Sequence, residues 1–254
     1  MCNVFSIPDT TALVTGGAKR LGRATALELS RAGCSVVVHY RASERDAISV
    51  VDEIRDLGVD SWPVQADLSS EAETNRLFEE SLALAGKIDF VVNSASIFPE
   101  SKLRELTEKS LIENMRINSL APFALTNRLY EHLEASERDG AVVNFLDARM
   151  LDYDRKHVPY HLSKRTLFAI TRMASIEYAP RLRVNGVAPG LVLPPPGEDE
   201  SYLEKWAHTN PLKTHGNGEQ IAAAVLFLLW SRFVTGQVIY VDGGRHVKGR
   251  FYGS

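Results

Sequence analysis

The sequence has few cysteines, no long hydrophobic run and no excess of positive charge. Two cysteines, Cys2 and Cys34, in 254 residues provide neither a disulfide framework nor a cysteine-based metal site. The most apolar run, IAAAVLFLLW, has ten residues and is too short to cross a bilayer. The net charge of −3 gives no general attraction to nucleic acid or anionic lipid. We therefore expect a protein without metal, membrane or nucleic-acid partners.

The N-terminal segment MCNVFSIPDT lacks a basic region followed by a long apolar stretch. We therefore expect no signal peptide and a cytoplasmic location. A chain of 254 residues, 44% of them hydrophobic, is long enough to bury a substantial core without disulfides or metals.

Short apolar runs that look like buried strands alternate with stretches of helical periodicity. Several runs are rich in valine and continuous, which is typical of parallel strands covered on both faces. The runs are TALVT, SVVVHY, SWPVQA, IDFVVN, AVVNFL, LRVNGVA and QVIYVDGG. Strand alternating with helix predicts right-handed crossovers. We therefore predict an α/β protein with a Rossmann-like, doubly wound parallel sheet of about seven strands and helices on both faces.

No internal repeat, low-complexity tract or polar linker divides the chain, so we expect one domain over residues 1–254. The one proline-rich piece, PPPGEDE, begins at Pro194 and is followed by SYLEKWAH. This composition predicts a surface loop. We assign residues around 191–215 to a substrate loop, in which Trp206 could close over the pocket.

A glycine-containing turn follows the first predicted strand in ALVTGGAKRLGRATA. In such a strand–turn–helix unit, the backbone amides of the turn and of the helix N-terminus receive a pyrophosphate, assisted by the helix dipole. The segment from Gly16 to Gly22 departs from the common G-x-G-x-x-G pattern, and a tight turn without a ligand is the alternative. The place of the turn directly after the first strand favours a nucleotide.

The end of the second predicted strand, HYRAS, indicates which nucleotide is bound. An NAD site has an acid there for the ribose 2′-hydroxyl, whereas a 2′-phosphate prefers cations and hydroxyls. This segment has no acid before Glu44, so we expect NADP(H). The predicted phosphate pocket comprises Lys19, Arg20, His39, Tyr40, Arg41 and Ser43. A solvated helix start is the alternative explanation of Arg41 and Arg45.

Tyr160 and Lys164, in YHLSK, lie four residues apart and share one face of a predicted helix. An ammonium group stabilises a phenolate, so we expect Lys164 to lower the pKa of Tyr160 towards the range useful for proton transfer. Asp147 stands thirteen residues before Tyr160, directly after the run AVVNFL. A carboxylate at the end of a buried strand is costly unless it is paired or used. A cap of the following loop is the alternative role of Asp147.

These features occur in order with the motifs ADL, NSAS, INS and PG, and the ordered set resembles the short-chain dehydrogenase/reductase family over essentially the whole chain. The resemblance implies that Tyr160 donates or accepts a proton, that Lys164 binds the nicotinamide ribose and that Asn118 holds a water that relays protons. It also implies that ADL contacts the adenine and that NSAS lines the cofactor near the nicotinamide. The cofactor-binding residues expected in all are Gly16, Lys19, Arg20, Leu21, Gly22, His39, Tyr40, Arg41, Ser43, Asp67, Leu68, Asn93, Ala95, Ser96, Tyr160, Lys164, Pro189 and Gly190.

Among the positions that depart from the usual pattern of that family, two are informative. Asp147 replaces a serine that orients a substrate carbonyl or hydroxyl, and Arg20 replaces a glycine of the first turn. Together with HYRAS, NSASIF, KHVPYHLSK and DGGRH, these departures resemble the pteridine reductases, including the bacterial dihydromonapterin reductases. That resemblance implies that Phe98 stacks on a pterin, for which ordinary packing is the alternative. It also implies that Arg20 and Ser96 hydrogen-bond the pterin edge and a cofactor phosphate.

The chemistry of a pterin accounts for the aspartate. A reduced pterin presents a ring imine instead of a ketone, so the site must deliver a proton to nitrogen while a hydride reaches the adjacent carbon. A carboxylic acid beside Tyr160 can feed that proton. We therefore expect an NADPH-dependent pteridine reductase acting on a dihydropterin such as dihydrobiopterin or dihydromonapterin. The expected catalytic residues are Asn118, Asp147, Tyr160 and Lys164, and the expected substrate-binding residues are Arg20, Ser96, Phe98, Asp147 and Tyr160.

Two other functions are compatible with the same motifs. An NADPH-dependent reductase of ketones, of the 3-oxoacyl thioester or sugar type, accounts for everything except Asp147, Arg20 and Phe98. A non-catalytic NADP-binding sensor is the third hypothesis.

The family resemblance implies a homotetramer, formed through the helices that carry Asn118 and Tyr160 and through the C-terminal region. The runs IAAAVLFLLW and YVDGGRHVKGRFYGS are compatible with an interface, although intramolecular packing explains the first equally well. The only other partner expected is a small pterin or folate-like substrate.

Overall fold

The computed structural model describes residues 5–152, 155–195 and 197–248. Cys2, Pro196 of the predicted substrate loop, and residues 249–254 of the predicted interface lie outside the described residues. Each of the seven apolar runs overlaps one strand. The strands are β1 Thr11–Thr15, β2 Ser35–Tyr40, β3 Ser61–Gln65, β4 Phe90–Asn93, β5 Gly140–Phe145, β6 Leu182–Pro189 and β7 Val238–Val241.

All seven strands pair in parallel in one sheet, in the order β3-β2-β1-β4-β5-β6-β7. This confirms the predicted α/β, doubly wound Rossmann-like fold. The winding reverses between β1 and β4, where ligands bind beyond the carboxyl ends of the strands in such sheets. Pro63 cannot donate to a strand ladder, and it lies in β3 at the edge of the sheet.

Helices connect the strands, and a π-helical turn over Arg116–Leu120 lies between two consecutive helices in the connection from β4 to β5. Each long crossover helix has apolar residues on the side that faces the sheet, as parallel crossovers require. The helices are α1 Arg20–Arg31, α2 Glu44–Asp56, α3 Glu71–Ala85, α4 Glu108–Met115, α5 Ala121–Ala135, α6 Val158–Glu177, α7 Glu200–Trp206, α8 Gly218–Trp230 and α9 Arg245–Lys248.

The core consists of two main layers, one on each face of the sheet. Because side chains alternate along a strand, Val36 and Val38 of β2 belong to one layer and Val37 belongs to the other. The first layer includes apolar residues of α1, α2 and α8, and the second includes those of α3 and α5. Ile221, Val225 and other apolar residues of the run IAAAVLFLLW are buried within the chain, so intramolecular packing explains most of that run.

Within the described ranges, no helix is long and apolar enough to cross a membrane.

Candidate active site

The ends of β1, β4 and β5 bring the predicted catalytic segments together. Thr15 is paired with Asn93, and Asn93 is paired with Asn144, so the three strands end side by side. The polar side chains at this edge bond to one another, since Asn93 Nδ2 donates to Asn144 Oδ1 at 2.8 Å. Thr15 Oγ1, at the end of β1, accepts from the backbone amides of Ser94 and Ala95 in the motif NSAS. The carboxyl edge of the sheet is therefore held by a buried polar network.

Asp147 and Tyr160 form a direct hydrogen bond. Tyr160 Oη donates to Asp147 Oδ2 at 2.9 Å, and Asp147 Oδ1 accepts from the backbone amide of Arg149 at 2.7 Å. Asp147 therefore makes both of the contacts considered from the sequence: one carboxylate oxygen caps the loop after β5, and the other accepts from Tyr160. Tyr160 is buried, with 7% of its surface exposed.

The expected effect of Lys164 on Tyr160 is wrong. Burial and the nearby Asp147 carboxylate raise the pKa of Tyr160 well above its ordinary value of 10.0. The Lys164 ammonium donates to the carbonyl of Phe145 at 2.6 Å and lies 5.7 Å from the centre of the Tyr160 ring. The i, i+4 spacing predicted the proximity, but burial and the Asp147 carboxylate determine the direction of the shift, so Tyr160 keeps its proton at neutral pH.

Lys164 itself is 1% exposed. Burial lowers its pKa from 10.5 to about 8, against the opposing influence of the Asp147 charge. The side chain is therefore a positive charge held inside the protein beneath the tyrosine, at a cost in stability.

Asn118 is fully buried in the π-helical turn, a feature that often marks functional sites. Its Oδ1 accepts from Ser96 Oγ and from the Ile97 amide, while its Nδ2 donates to the Ile97 carbonyl and to Ser163 Oγ. The side-chain amide thereby joins the loop after β4 to helix α6. Both side-chain polar atoms of Asn118 are therefore bonded to protein groups. The role expected from the resemblance, holding a water, would not rest on an unpaired side-chain atom of Asn118.

Phe98 lies beside Tyr160. Its ring meets Tyr160 edge-on, with centres 4.5 Å apart, and stacks on His157 at 3.9 Å and 13°. The ring is 54% exposed, which is more than ordinary core packing leaves. One face of Phe98 is covered by His157, so a stacked substrate has to use the other face or displace the imidazole.

A cavity of about 430 Å³ adjoins these residues at the point where the winding of the sheet reverses. Thirteen of the predicted cofactor-binding residues line it: Gly16, Lys19, Arg20, Leu21, Gly22, His39, Tyr40, Arg41, Ser43, Asp67, Leu68, Ala95 and Ser96. Five do not: Asn93, Tyr160, Lys164, Pro189 and Gly190. Pro189 and Gly190 lie at the carboxyl end of β6, where a side chain at Gly190 would approach within 2.6 Å of the backbone of Asp242.

The glycine turn has the tight geometry of a phosphate-binding loop. Gly16 has φ of +65°, and a Cβ on Gly22 would lie 2.2 Å from the Gly16 carbonyl oxygen. This approach sets the start of α1 against the turn. The first amides of a helix have no intrahelical acceptor, so Arg20, Leu21 and Gly22, which line the cavity, can offer theirs to a pyrophosphate.

The end of β2 carries one cation, Arg41, and the hydroxyls of Tyr40 and Ser43 at the same cavity, and such groups suit a 2′-phosphate. Arg41 is exposed there, and Ser43 directly precedes α2. The Lys19 ammonium pairs with Asp46 at 2.9 Å, with both side chains about half exposed, so a phosphate would compete with that carboxylate.

Three other predicted contacts are engaged with protein groups. Arg20 Nη2 donates to the carbonyl of Pro194 at 2.7 Å, which connects the phosphate turn to the predicted substrate loop. Ser96 Oγ donates to Asn118 Oδ1. The Asp67 carboxylate accepts from the Ser69 amide, and hydrogen bonding there lowers its pKa. Trp206, at the end of α7 in the predicted substrate loop, is 39% exposed and does not line the cavity.

Sequence reasoning missed several residues at this site. Ile97, Ile117 and Phe145 line the cavity, and Phe145 also receives the Lys164 ammonium. Their apolar character resembles core, but their positions carried a signal: Phe145 ends β5 two residues before Asp147, and Ile117 precedes Asn118. His157 was missed because its contact with Phe98 spans two separate loops.

Among the residues that the structure describes, no group of three or more histidine, cysteine or acidic side chains could hold a metal ion.

Comparison with known proteins gives consistent similarities over nearly the whole chain. A family model described as enoyl-(acyl carrier protein) reductase matches residues 16–246. The short-chain dehydrogenase/reductase GME11373 of Pestalotiopsis microspora is 33% identical, over 94% of this chain and 96% of its own. The 3-oxoacyl-[acyl-carrier-protein] reductase FabG of Staphylococcus epidermidis is 29% identical, over 94% of this chain and 100% of its own. The structure of FolM alternative dihydrofolate reductase 1 from Brucella canis, complexed with NADP, has a TM-score of 0.86 at 32% identity and covers 94% of this chain and 95% of that one.

Proposed function

The chain belongs to the short-chain dehydrogenase/reductase family and is an NADPH-dependent reductase, and from this premise we propose that it reduces the ring of a dihydropterin to the tetrahydropterin. The observation that carries the proposal is the 2.9 Å hydrogen bond between Tyr160 and Asp147, at the position where the usual family member has a serine. Similarity to a structure described as a dihydrofolate reductase supports the same class of ring.

The proton in this reaction comes from Tyr160. Its raised pKa keeps the hydroxyl protonated, so Oη can donate to the ring nitrogen of a C=N bond. The phenolate left behind is unfavourable in a buried site. Asp147 is half-buried and its carboxyl oxygen lies 2.9 Å from Oη, so it can take up a proton from solvent and pass it to the phenolate.

Lys164 stabilises electrostatically the phenolate that forms when Tyr160 gives up its proton. Its ammonium is buried 5.7 Å from the centre of the tyrosine ring, so the positive charge stabilises the negative charge that develops on Oη. Its hydrogen bond to the Phe145 carbonyl fixes the ammonium in position before any substrate arrives.

The ring itself would lie against Phe98. An exposed aromatic in edge contact with Tyr160 offers a flat apolar surface next to the proton donor. Arg20 and Ser96 line the adjoining cavity. Arg20 supplies donors for the polar edge of the ring once it leaves the Pro194 carbonyl, and Ser96 Oγ, which donates to Asn118, can accept from the ring. The loop at 191–215 would act as the substrate loop of a single domain over residues 1–254.

NADPH, when bound, supplies the hydride for the ring carbon. The residues that would hold it are those at the start of α1 for the pyrophosphate, Arg41 and Ser43 for the 2′-phosphate, and Asp67 and Leu68 for the adenine. The glycine turn would position the start of α1. Asn118 supports this site by fixing Ser96 and Ile97, which line the cavity.

A ketone reductase is the second candidate, favoured by the similarity to the 3-oxoacyl reductase of Staphylococcus epidermidis. The same tyrosine would then protonate a carbonyl oxygen, and Asp147 would only orient Tyr160. The two candidates differ in what Asp147 contributes.

Replacing Asp147 tests this difference. Asp147→Ser restores the residue usual in the family, and Asp147→Asn keeps the shape but not the acid. We expect both to lower kcat for dihydropterin by about 100-fold or more, because the resupply of the proton is lost. The measurement is NADPH oxidation with a dihydropterin and with a β-ketoester, and NADPH binding and thermal unfolding verify that each variant is folded.

Asp152→Ser is the matched control, because Asp152 is an exposed acid five residues further along the same loop. It should retain full activity. If Asp147→Ser retains full dihydropterin activity, the proposed role of the acid is contradicted. If it loses dihydropterin turnover but keeps the turnover of a ketoester, the proposal is supported.

The proposed assembly is a homotetramer in the cytoplasm. Its interface would include α5 and α6, on which Phe123, Met173 and Ile176 are exposed apolar residues of the single chain. Sedimentation equilibrium gives the mass directly, and a monomer would contradict this assembly.

A further inference from the structure

His39 makes two side-chain hydrogen bonds inside the protein, although it lines the cofactor cavity. Its Nδ1 accepts from the Gly16 amide at 3.0 Å, and its Nε2 lies 3.2 Å from the Ala66 carbonyl. The residue is 2% exposed. The imidazole therefore connects the end of β2 with the turn after β1 and the end of β3.

These two contacts define the protonation state. An amide can only donate, so Nδ1 must be unprotonated, and the proton must be on Nε2, where it is donated to the Ala66 carbonyl. Burial lowers the pKa of His39 from 6.5 to about 4, against the opposing influence of the Ala66 carbonyl and of Asp67. At neutral pH the imidazole is uncharged, which is unsuited to the phosphate contact expected from the sequence.

The main chain of His39 holds the next glycine. The Gly17 amide donates to the His39 carbonyl at 3.0 Å, so both glycine amides of the turn are bound to one residue. They are not available to a pyrophosphate, and the amides left for it include those at the start of α1. The position of that helix start depends on the turn, since Gly22 packs directly on the Gly16 carbonyl.

We propose that His39 is a positioning residue for NADPH: its neutral imidazole fixes the Gly16 turn, and through it the amides at the start of α1 that receive the pyrophosphate. It acts through the turn and does not touch the phosphate. The inference depends on NADPH binding alone and not on the pteridine substrate.

Three substitutions separate the two hydrogen bonds. Asparagine at position 39 places its side-chain oxygen where Nδ1 stands and keeps the bond to Gly16. Glutamine places its amide nitrogen near the position of Nε2 and keeps the bond to Ala66, and leucine removes both. His39→Asn and His39→Gln each lose one buried hydrogen bond, so a purely structural role predicts similar effects for the two.

The measurement is the Kd of NADPH, by fluorescence titration of each variant at pH 7.5, with thermal unfolding to verify the folded fraction. We expect His39→Asn to bind within about threefold of the wild type, and His39→Gln and His39→Leu to bind about tenfold more weakly or worse, the loss expected from a misplaced hydrogen-bonding group. At saturating NADPH, kcat should be nearly unchanged in all three. Wild-type affinity in His39→Gln, or an equal loss in His39→Asn and His39→Gln, would overturn the proposal.

Discussion

Replacing Lys164 by methionine should remove activity and yet leave the protein at least as stable. The wild-type ammonium is 1% exposed, and burial brings its pKa down from 10.5 to about 8. At about 1.4 kcal/mol per pKa unit, holding this charge in the folded protein at neutral pH costs about 3 kcal/mol. Methionine has a similar volume and no charge. It leaves the Phe145 carbonyl without its donor, which costs about 1–3 kcal/mol, so we expect a net gain of about 0–2 kcal/mol at pH 7.

The pH dependence of this difference is the sharper test. Below pH 8 the lysine is protonated in both the folded and the unfolded protein, and the cost is fully present. Between pH 8 and 10.5 the unfolded protein binds more protons at this group, so the wild type gains stability as pH rises. By pH 10 this gain should reach about 2 kcal/mol relative to Lys164→Met.

Urea unfolding of both proteins without NADPH, at pH 7.5 and pH 10, measures the change. Lys109→Met, at an exposed position on α4, is the control and should follow the wild type at both values. Stability differences that stay constant between pH 7.5 and 10 would refute the reasoning, because Lys164 would then titrate alike in the folded and unfolded protein.

Two further predictions concern NADPH. Arg41→Ala should weaken NADPH binding about tenfold or more, since a charged hydrogen bond to the 2′-phosphate is lost, and should leave NADH binding unchanged. Arg45→Ala is the control. An equal effect of both variants on NADPH binding would indicate that Arg41 only belongs to a solvated helix start. Gly22→Ala should abolish NADPH binding and lower the melting temperature, because its Cβ would lie 2.2 Å from the Gly16 carbonyl oxygen. NADPH titration measures the affinity and thermal unfolding measures the melting temperature. Wild-type affinity would contradict the proposed role of the turn.

The fold was predictable from sequence because a parallel sheet covered on both faces leaves continuous apolar runs. Each predicted run overlaps one strand. The runs TALVT and SVVVHY have the same bounds as β1 and β2, and the other runs differ from their strands by one to three residues at an end. The run QVIYVDGG, for example, is a strand only over Val238–Val241, since two glycines with positive φ follow Asp242. Strand ends depend on such local backbone geometry, which hydrophobicity alone does not encode.

The candidate site was predictable only where chain order determines position. The carboxyl ends of parallel strands meet at one edge, so the glycine turn, HYRAS and NSAS were expected together, and they line one cavity. The direction of each side chain was not predictable. His39 and Arg41 are two residues apart at the same strand end, yet one is buried and neutral and the other is exposed and charged.

The chemistry of Tyr160 shows a second limit. The spacing of Tyr160 and Lys164 predicted their proximity, but the pKa of the tyrosine depends on burial and on the direction of the ammonium, which points to the Phe145 carbonyl. Those properties arise from packing between α6 and β5. A sequence motif specifies which groups meet, whereas the surrounding packing decides which protonation state is favoured.

The central claim is that the aspartate beside Tyr160 makes this protein a reductase of a pteridine ring. The most direct test is NADPH oxidation by the purified protein with dihydrobiopterin, dihydromonapterin and dihydrofolate, beside a β-ketoester at the same concentration. We predict turnover of at least one dihydropterin, with a kcat/KM well above that for the ketoester. Turnover of the ketoester with none of the dihydropterins would contradict the claim, and would leave the fold and the NADPH site in place with Asp147 as a variant of the usual serine.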